Sequence, residues 1–463
     1  MMGVEQLRKS TVAGVVLHLD RFRVSAFFAT SATLGILLLA GCGNTYRPVV
    51  SSINPVGPAA QPQKYAVAIS SPSDTSQGLV TLIDFAGDTI LNTTLIGVHP
   101  QYLALSPNGG TAFTLNADGT ANSFNVSPSL LSTNIAQITL PANSRPVSIY
   151  SQQNNLYIAE SGRNSVAQFS STGSAFGQEL PTGAGTIYTV GSASAPRAYA
   201  IANGNGTGNG IVSAIETTSN TVSGMIPVGV NPVYGVMTPD STRAFILNKG
   251  SNDVTVINAQ NNALDRFTTA SGVSSTIPVG IAPVWADLAP TLAELVVANA
   301  GNGSSAGSLT VINIPHCPVT AVASNPNCDP ADPLNALGFG QVLANIPVGV
   351  NPVMVAVLQD GTRAYVANAG NAALGIAGSV SVVNLTTNTV VATLQAGASL
   401  NAQDQIVHGH PAFIAATTGT PTGKVYVTSL DSTDITIIRT DTDTIQTHLP
   451  LQGNGVAVRV NQP

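Results

Sequence analysis

Short apolar runs recur along most of this chain, rich in Val, Ile, Thr and Tyr, and clusters of Gly, Asn, Asp and Pro separate them. Segments of four to eight such residues bounded by turn formers read as strands. One stretch shows the order plainly. Ile346-Pro-Val-Gly-Val-Asn-Pro352 leads into an apolar run and the turn Gln359-Asp360-Gly361. The strand Arg363-Ala-Tyr-Val-Ala-Asn368 follows, then a Gly/Asn turn and the strand Val380-Ser-Val-Val-Asn384. The turn Thr386-Thr-Asn388 and the strand Val390-Val-Ala-Thr-Leu394 complete the unit.

The unit repeats. Ile226-Pro-Val-Gly-Val-Asn-Pro232 and Ile277-Pro-Val-Gly-Ile-Ala-Pro283 open further copies, and Arg243-Ala-Phe-Ile-Leu-Asn248 matches the strand at Arg363. Four strands per unit predict an all-β fold, a β-propeller of four-stranded antiparallel blades. A single such sheet cannot cover both of its faces, whereas blades stacked around an axis cover one another. The second strand of the unit is found eight times, from Tyr65-Ala-Val-Ala-Ile69 to Val425-Tyr-Val-Thr428. Eight blades are therefore expected, with seven as the alternative if the weak unit within residues 146–220 is absorbed. The first unit lacks its opening strand. Gly455-Val-Ala-Val-Arg-Val460 fits that place, so the two ends of the domain are expected to share one blade, which leaves no free sheet edge.

Tyr426-Val427-Thr428-Ser429 and Tyr365-Val366-Ala367-Asn368, with the flanking Ile-Pro-Val-Gly and Asp-Gly-Thr-Arg, resemble the YVTN family of β-propeller repeats. The match is strongest over residues 226–395. The resemblance implies a surface or secreted propeller, a fold also used by lactonase-type enzymes and by haem propellers, so fold alone does not settle chemistry.

Before the repeats, Arg21 and Arg23 precede an apolar or small run from Val24 to Gly41, as in a signal peptide. Its end, Leu39-Ala40-Gly41-Cys42, resembles the bacterial lipobox, which implies lipidation of the Cys42 thiol. The competing reading is a membrane-anchoring helix, for which the run is nearly long enough. Gly43 follows in place of Asp, which under the lipobox resemblance implies an outer-membrane destination. The expected domains are residues 1–41 as signal peptide, 42–63 as a Pro-rich tether and 64–460 as the propeller. The expected place is the cell envelope, either the outer membrane facing the periplasm or the cell surface.

Composition narrows the partners. Charged residues are only 8% of the chain and the net charge is −6. Four of the 16 basic residues precede Cys42, and no basic run remains after it. A nucleic-acid partner, which requires a positive footprint, is excluded on this ground. A monomer that binds the membrane through its lipid and presents a protein or glycan site is expected.

Candidate chemistry is sparse. Cys317 and Cys328 share the longest insertion and are expected to form a disulfide in an oxidising compartment, worth about 3 kcal/mol by loop closure. His408 and His410 are two apart, so both rings can reach one metal, although no third ligand stands beside them in sequence. His99 and His410 occupy the same repeat position, each before a proline. Tyr234, Trp285 and Met354 occupy another, on the first strand nearest the axis. These five are the candidate channel-mouth residues. No Gly-x-Ser-x-Gly elbow, phosphate loop or haem-attachment motif occurs, and no cofactor is expected. A binding or scaffold protein is the first reading. A lactonase-like or quinoprotein-dehydrogenase-like enzyme and a metal or redox accessory protein are the alternatives. The recurrent Arg197, Arg243 and Arg363 are expected to tie neighbouring blades together.

Overall fold

The computed structural model describes residues 65–461 except 194, 207, 270, 316, 318–335, 402–403 and 418–422. Eight antiparallel sheets follow one another as the blades of a β-propeller. Blade 1 runs outward from Asn454–Val460 through Tyr65–Ser71 and Gln77–Asp84 to Thr89–Val98. Its inner strand comes from the end of the chain, pairing Ala66 with Val460 and Ala68 with Val458. The inner strands of blades 2 to 8 are Pro100–Leu105, Pro146–Ser151, Thr186–Gly191, Pro232–Met237, Pro283–Ala289, Pro352–Val357 and Pro411–Ala416. The stretch 146–220, which the sequence left as a possible omission, supplies blade 3 and most of blade 4. The described residues include no α-helix, only three single turns of 3-10 helix.

Burial explains the sequence pattern. Tyr65–Ser71, Asn155–Glu160 and Arg243–Asn248 are buried at every residue, because neighbouring blades cover both faces of a second strand. The outer strand Thr221–Val230 begins with alternation, one face packed and the other open to water. Blade 5 departs from the rule. Its outer edge consists of two fragments, Ala263–Leu264 and Thr276–Pro278, with a hairpin of Phe267–Thr269 and Gly272–Ser274 inserted between them.

The repeated Gly and Pro are contact residues between blades. Gly349, in the outer strand of blade 6, lies against Asn368 of blade 7, and a Cβ there would sit 2.7 Å from the amide. Gly97, Gly229 and Gly280 meet Asn116, Asn248 and Asn299 in the same way. Each asparagine is buried and ties the second strand to the third, as Asn368 does through Ser379 and Ser381 at 3.1 and 2.9 Å. Gly307 packs on the ring of Pro352, where a Cβ would approach Cδ to 2.3 Å.

A second set of ties runs from the second strand to a left-handed turn residue in the next blade. Tyr157, Tyr199 and Tyr365 donate to Asn220, Asn262 and Asp443 at 2.6, 2.9 and 2.5 Å. These acceptors have φ of 52 to 55°, a conformation that Asn and Asp adopt more readily than other non-glycine residues. Arg363 joins the Tyr365 tie through Asp443 at 2.8 Å, and Lys424 reaches Asp88 at 2.6 Å from blade 8 to blade 1. Arg197 donates to the Ala259 carbonyl of blade 5 while pairing with Glu216 of its own blade. Arg243 pairs with the buried Asp265 of its own blade, and its guanidinium lies 5.8 Å from the centre of the Phe339 ring in blade 6.

Candidate functional site

The inner strands create the site through a repeated irregularity. In blades 2 to 8 the register shifts immediately after the first residue, as at Pro100/Tyr102, Pro232/Tyr234 and Pro283/Trp285. Such a bulge redirects the following side chain. The residue before the strand adopts φ of 45 to 56° at His99, Arg145, Asn231, Ala282 and Asn351. The next-but-one residues of each strand then share a face.

Two registers result. Tyr102, Tyr188, Tyr234, Trp285, Met354 and Phe413 all stand opposite the same position of the second strand, with Ser148 and Ala457 completing the set. Two residues further along each strand, the set is Ala104, Tyr150, Val190, Val236, Asp287, Ala356, Ala415 and Arg459. Most of these side chains line an axial cavity of about 670 Å³ to which all eight blades contribute. Tyr188, Tyr234 and Trp285 form an arc along its wall, and Phe413 abuts its end without lining the cavity. The rings of Tyr188 and Tyr234 are 4.8 Å apart, Trp285 stacks on Tyr234 at 4.0 Å, and Phe413 meets Trp285 edge-on at 6.1 Å.

Among the cavity-lining residues, two side chains carry charge, in the same register and three blades apart. The Arg459 guanidinium lies 4.6 Å from the Phe413 ring centre and donates to the carbonyl of Val458 at 3.2 Å. It forms no ion pair among the described residues. Asp287 accepts backbone N–H groups from Val357 and Leu288 at 2.8 and 2.9 Å. Burial pushes its carboxyl up to about 6, against the lowering effect of those two N–H groups and of Arg459. Between the unfolded value near ~4 and the folded value, the native state holds the extra proton, so stability falls as pH rises through this window. Because Trp285 is two residues away on the same face, its emission is expected to titrate with a midpoint near pH 6. The transition should vanish in Asp287→Asn. A flat wild-type profile would contradict the burial of this carboxylate.

The structure separates the five candidate channel-mouth residues. Tyr234, Trp285 and Met354 line the axial cavity, whereas His99 and His410 immediately precede their strands and do not. His99 contacts Ser71 at 3.0 Å and Asp74 at 3.5 Å. His410 pairs with Asp431 at 2.5 Å beside a smaller cleft between blades 7 and 8. Cys317 is buried. Cys42, Cys328 and the proposed signal peptide and tether lie outside the described residues.

His408 and His410 do not converge. His408 turns inward, with Nδ1 2.9 Å from Asp434 and Nε2 3.1 Å from Asp404. His448, from the outer strand of blade 8, directs Nε2 to the same Asp404 oxygen at 3.2 Å. Burial raises the Asp404 carboxyl, but the N–H groups of Leu400 and Asn401, with His408 and Ile406, outweigh this and hold it well below the usual range. Burial first, and the proximity of the His408 ring second, hold His448 below the ordinary imidazole value.

Sequence reading missed Arg459, Asp287, Asp404 and His448 as site residues. Asp287 was detectable, since aligning the repeats places a lone carboxylate where Val236 and Ala356 stand. Arg459 was read only as part of the closing strand. Nothing local links Asp404 to His448.

Fold and cavity together define an eight-bladed β-propeller with an aromatic axial pocket. The chain matches no protein-family model and no curated protein. Its fold is similar to that of dihydro-heme d1 dehydrogenase NirN in complex with DHE, at 11% identity and a TM-score of 0.60, covering 86% of this chain and 75% of the other. Apo AztD from Citrobacter koseri is similar at 10% identity and a TM-score of 0.55, covering 86% and 97%. Identities this low establish the fold alone.

Proposed function

We propose that this chain is a divergent YVTN-type lipoprotein of the cell envelope, attached to the membrane through Cys42 and acting as a monomeric binding module. Its ligand is a small molecule, or the terminal group of a glycan or protein, that offers a ring or apolar face and an anionic group. The carrying observation is the axial cavity. It combines an aromatic arc with a guanidinium that has no carboxylate partner among the described residues. Aromatic walls favour flat faces, and an arginine fork recognises carboxylate or phosphate through paired N–H groups. The Cys317–Cys328 disulfide belongs to this reading, since it suits an oxidising envelope.

Trp285 is the single tryptophan of the chain and lines the cavity, so it reports occupancy. Titration of the full chain with a panel of aromatic carboxylates and uronic acids is expected to quench its emission saturably. Arg459→Met should weaken the responding compounds at least about tenfold while uncharged analogues are unaffected, since charged hydrogen bonds contribute roughly 1.5–3 kcal/mol. A panel without any saturable response, or one indifferent to Arg459, would remove the axial pocket from consideration.

Asp287 favours a second reading. A cavity carboxyl with a value near 6 suits proton transfer at neutral pH, as in a propeller enzyme of the lactonase or dehydrogenase kind. NirN, which shares this fold, is named as a dihydro-heme d1 dehydrogenase in complex with DHE. Turnover of a bound compound that Asp287→Asn abolishes without loss of binding would favour this second role.

A further inference from the structure

We propose that Asp404, His408 and His448 form a buried site for one divalent transition-metal ion, separate from the axial cavity. Their ligand atoms all lie within 4.8 Å of one another. Both histidine side chains are about 1% exposed and Asp404 is 8% exposed. Two nitrogens and a carboxylate suit Zn²⁺ or a neighbouring first-row ion, leaving a fourth position for water.

Hydrogen bonding supports the site. His408 stands between two carboxylates, Asp434 on Nδ1 at 2.9 Å and Asp404 on Nε2 at 3.1 Å. Both neighbours only accept, and a neutral imidazole has one N–H. With that proton on Nδ1 toward Asp434, Nε2 keeps its lone pair on the Asp404 side, which is the tautomer a metal ligand requires. His448 repeats the arrangement, with Nδ1 3.1 Å from Thr436 Oγ1 and Nε2 facing Asp404. An outer carboxylate or hydroxyl that fixes the tautomer of a ligating histidine is the usual support of a metal centre. Charge balance points the same way. With neutral rings the two carboxylates contribute two negative charges, and neither pairs with Lys or Arg among the described residues, so a dication neutralises them.

The two rings are stacked, with centroids 3.7 Å apart and 7° from parallel. In that pose their in-plane lone pairs cannot both meet one ion, so loading must turn one ring and break the stack.

Calorimetric titration of chelator-treated full chain with Zn²⁺ is expected to show one ion per chain. Binding should be lost in His448→Gln, weakened about 10–100-fold in Asp434→Asn, which touches only the outer side of His408, and unchanged in His410→Gln. A measurement free of variants accompanies it. Co²⁺ added to the wild-type chain should give the intense visible absorption of a low-coordinate nitrogen and oxygen site. No binding by the wild type, binding that survives a combined Asp404→Asn and His448→Gln change, loss in His410→Gln, or only the weak spectrum of hydrated Co²⁺ would each overturn the site.

Discussion

Removing residues from Asn454 onward is expected to abolish the stable monomer. Asn454–Val460 is the inner strand of blade 1, and its loss uncovers the whole edge of Tyr65–Ser71, a strand buried at every residue. Ala457 packs in one core cluster with Val67, Ile69 and Val80, and Val458 in another with Ala66 and Tyr426 of blade 8. The truncation therefore opens both faces of the seam. An uncovered edge of this length pairs readily with another chain. Size-exclusion chromatography with light scattering should show association, and limited proteolysis should cut within blade 1. A truncated chain that stays monomeric and unfolds cooperatively at the wild-type urea midpoint would show that the ring does not depend on this closure. The narrower change Ala457→Pro, in register with Ile69 and four residues from the Asn461 N–H that donates to the Tyr65 carbonyl, removes a ladder N–H from the same strand and should shift the midpoint strongly without shortening the chain.

The second large effect is expected at Asp443, where one carboxylate holds two residues of the preceding blade. Asp443→Ala leaves the hydroxyl of the buried Tyr365 without its acceptor and frees Arg363. It also places alanine at φ 55°. An unpaired buried group and a lost charged hydrogen bond together cost roughly 2–4 kcal/mol, and the left-handed backbone adds ~1 kcal/mol. Asp443→Asn tolerates the conformation and retains an acceptor, so it should cost about 1 kcal/mol and isolate the charge. Urea unfolding of both variants and of Arg363→Met, combined as a double-mutant cycle, checks the coupling. Equal stability of the alanine and asparagine variants would mean that the Tyr365 tie contributes nothing.

The recurring motifs differ in what they conveyed. Ile-Pro-Val-Gly was expected to open each unit, and at Ile346–Gly349 it instead ends the outer strand of one blade, where Gly349 lies against Asn368 of the next. The recurrent arginines were expected to bridge blades. Arg197 and Arg363 do so by hydrogen bonds and ion pairs, while Arg243 pairs with Asp265 of its own blade and meets blade 6 through the Phe339 ring. Tyr234, Trp285 and Met354 share one register, which repeat alignment alone could show. Their separation from His99 and His410 follows from strand direction, since residues at the start and the middle of a strand open toward different ends of the axis.

The sequence by itself determined the strands and the shared blade, and it narrowed the count to eight units with seven as the alternative, which the structure resolved as eight. Each of these depends on local apolar patterning and on the rule that a sheet edge must be covered. Only the tertiary structure decided which charges meet. Asp287 and Arg459 reach one cavity because ring closure brings the end of the chain beside blade 2, and bulges set which side chains line the axis. Asp404 and His448 meet because the segment before blade 8 folds back over that blade's outer strand. Distances of this kind are fixed by packing between blades, which the period of the repeat does not encode.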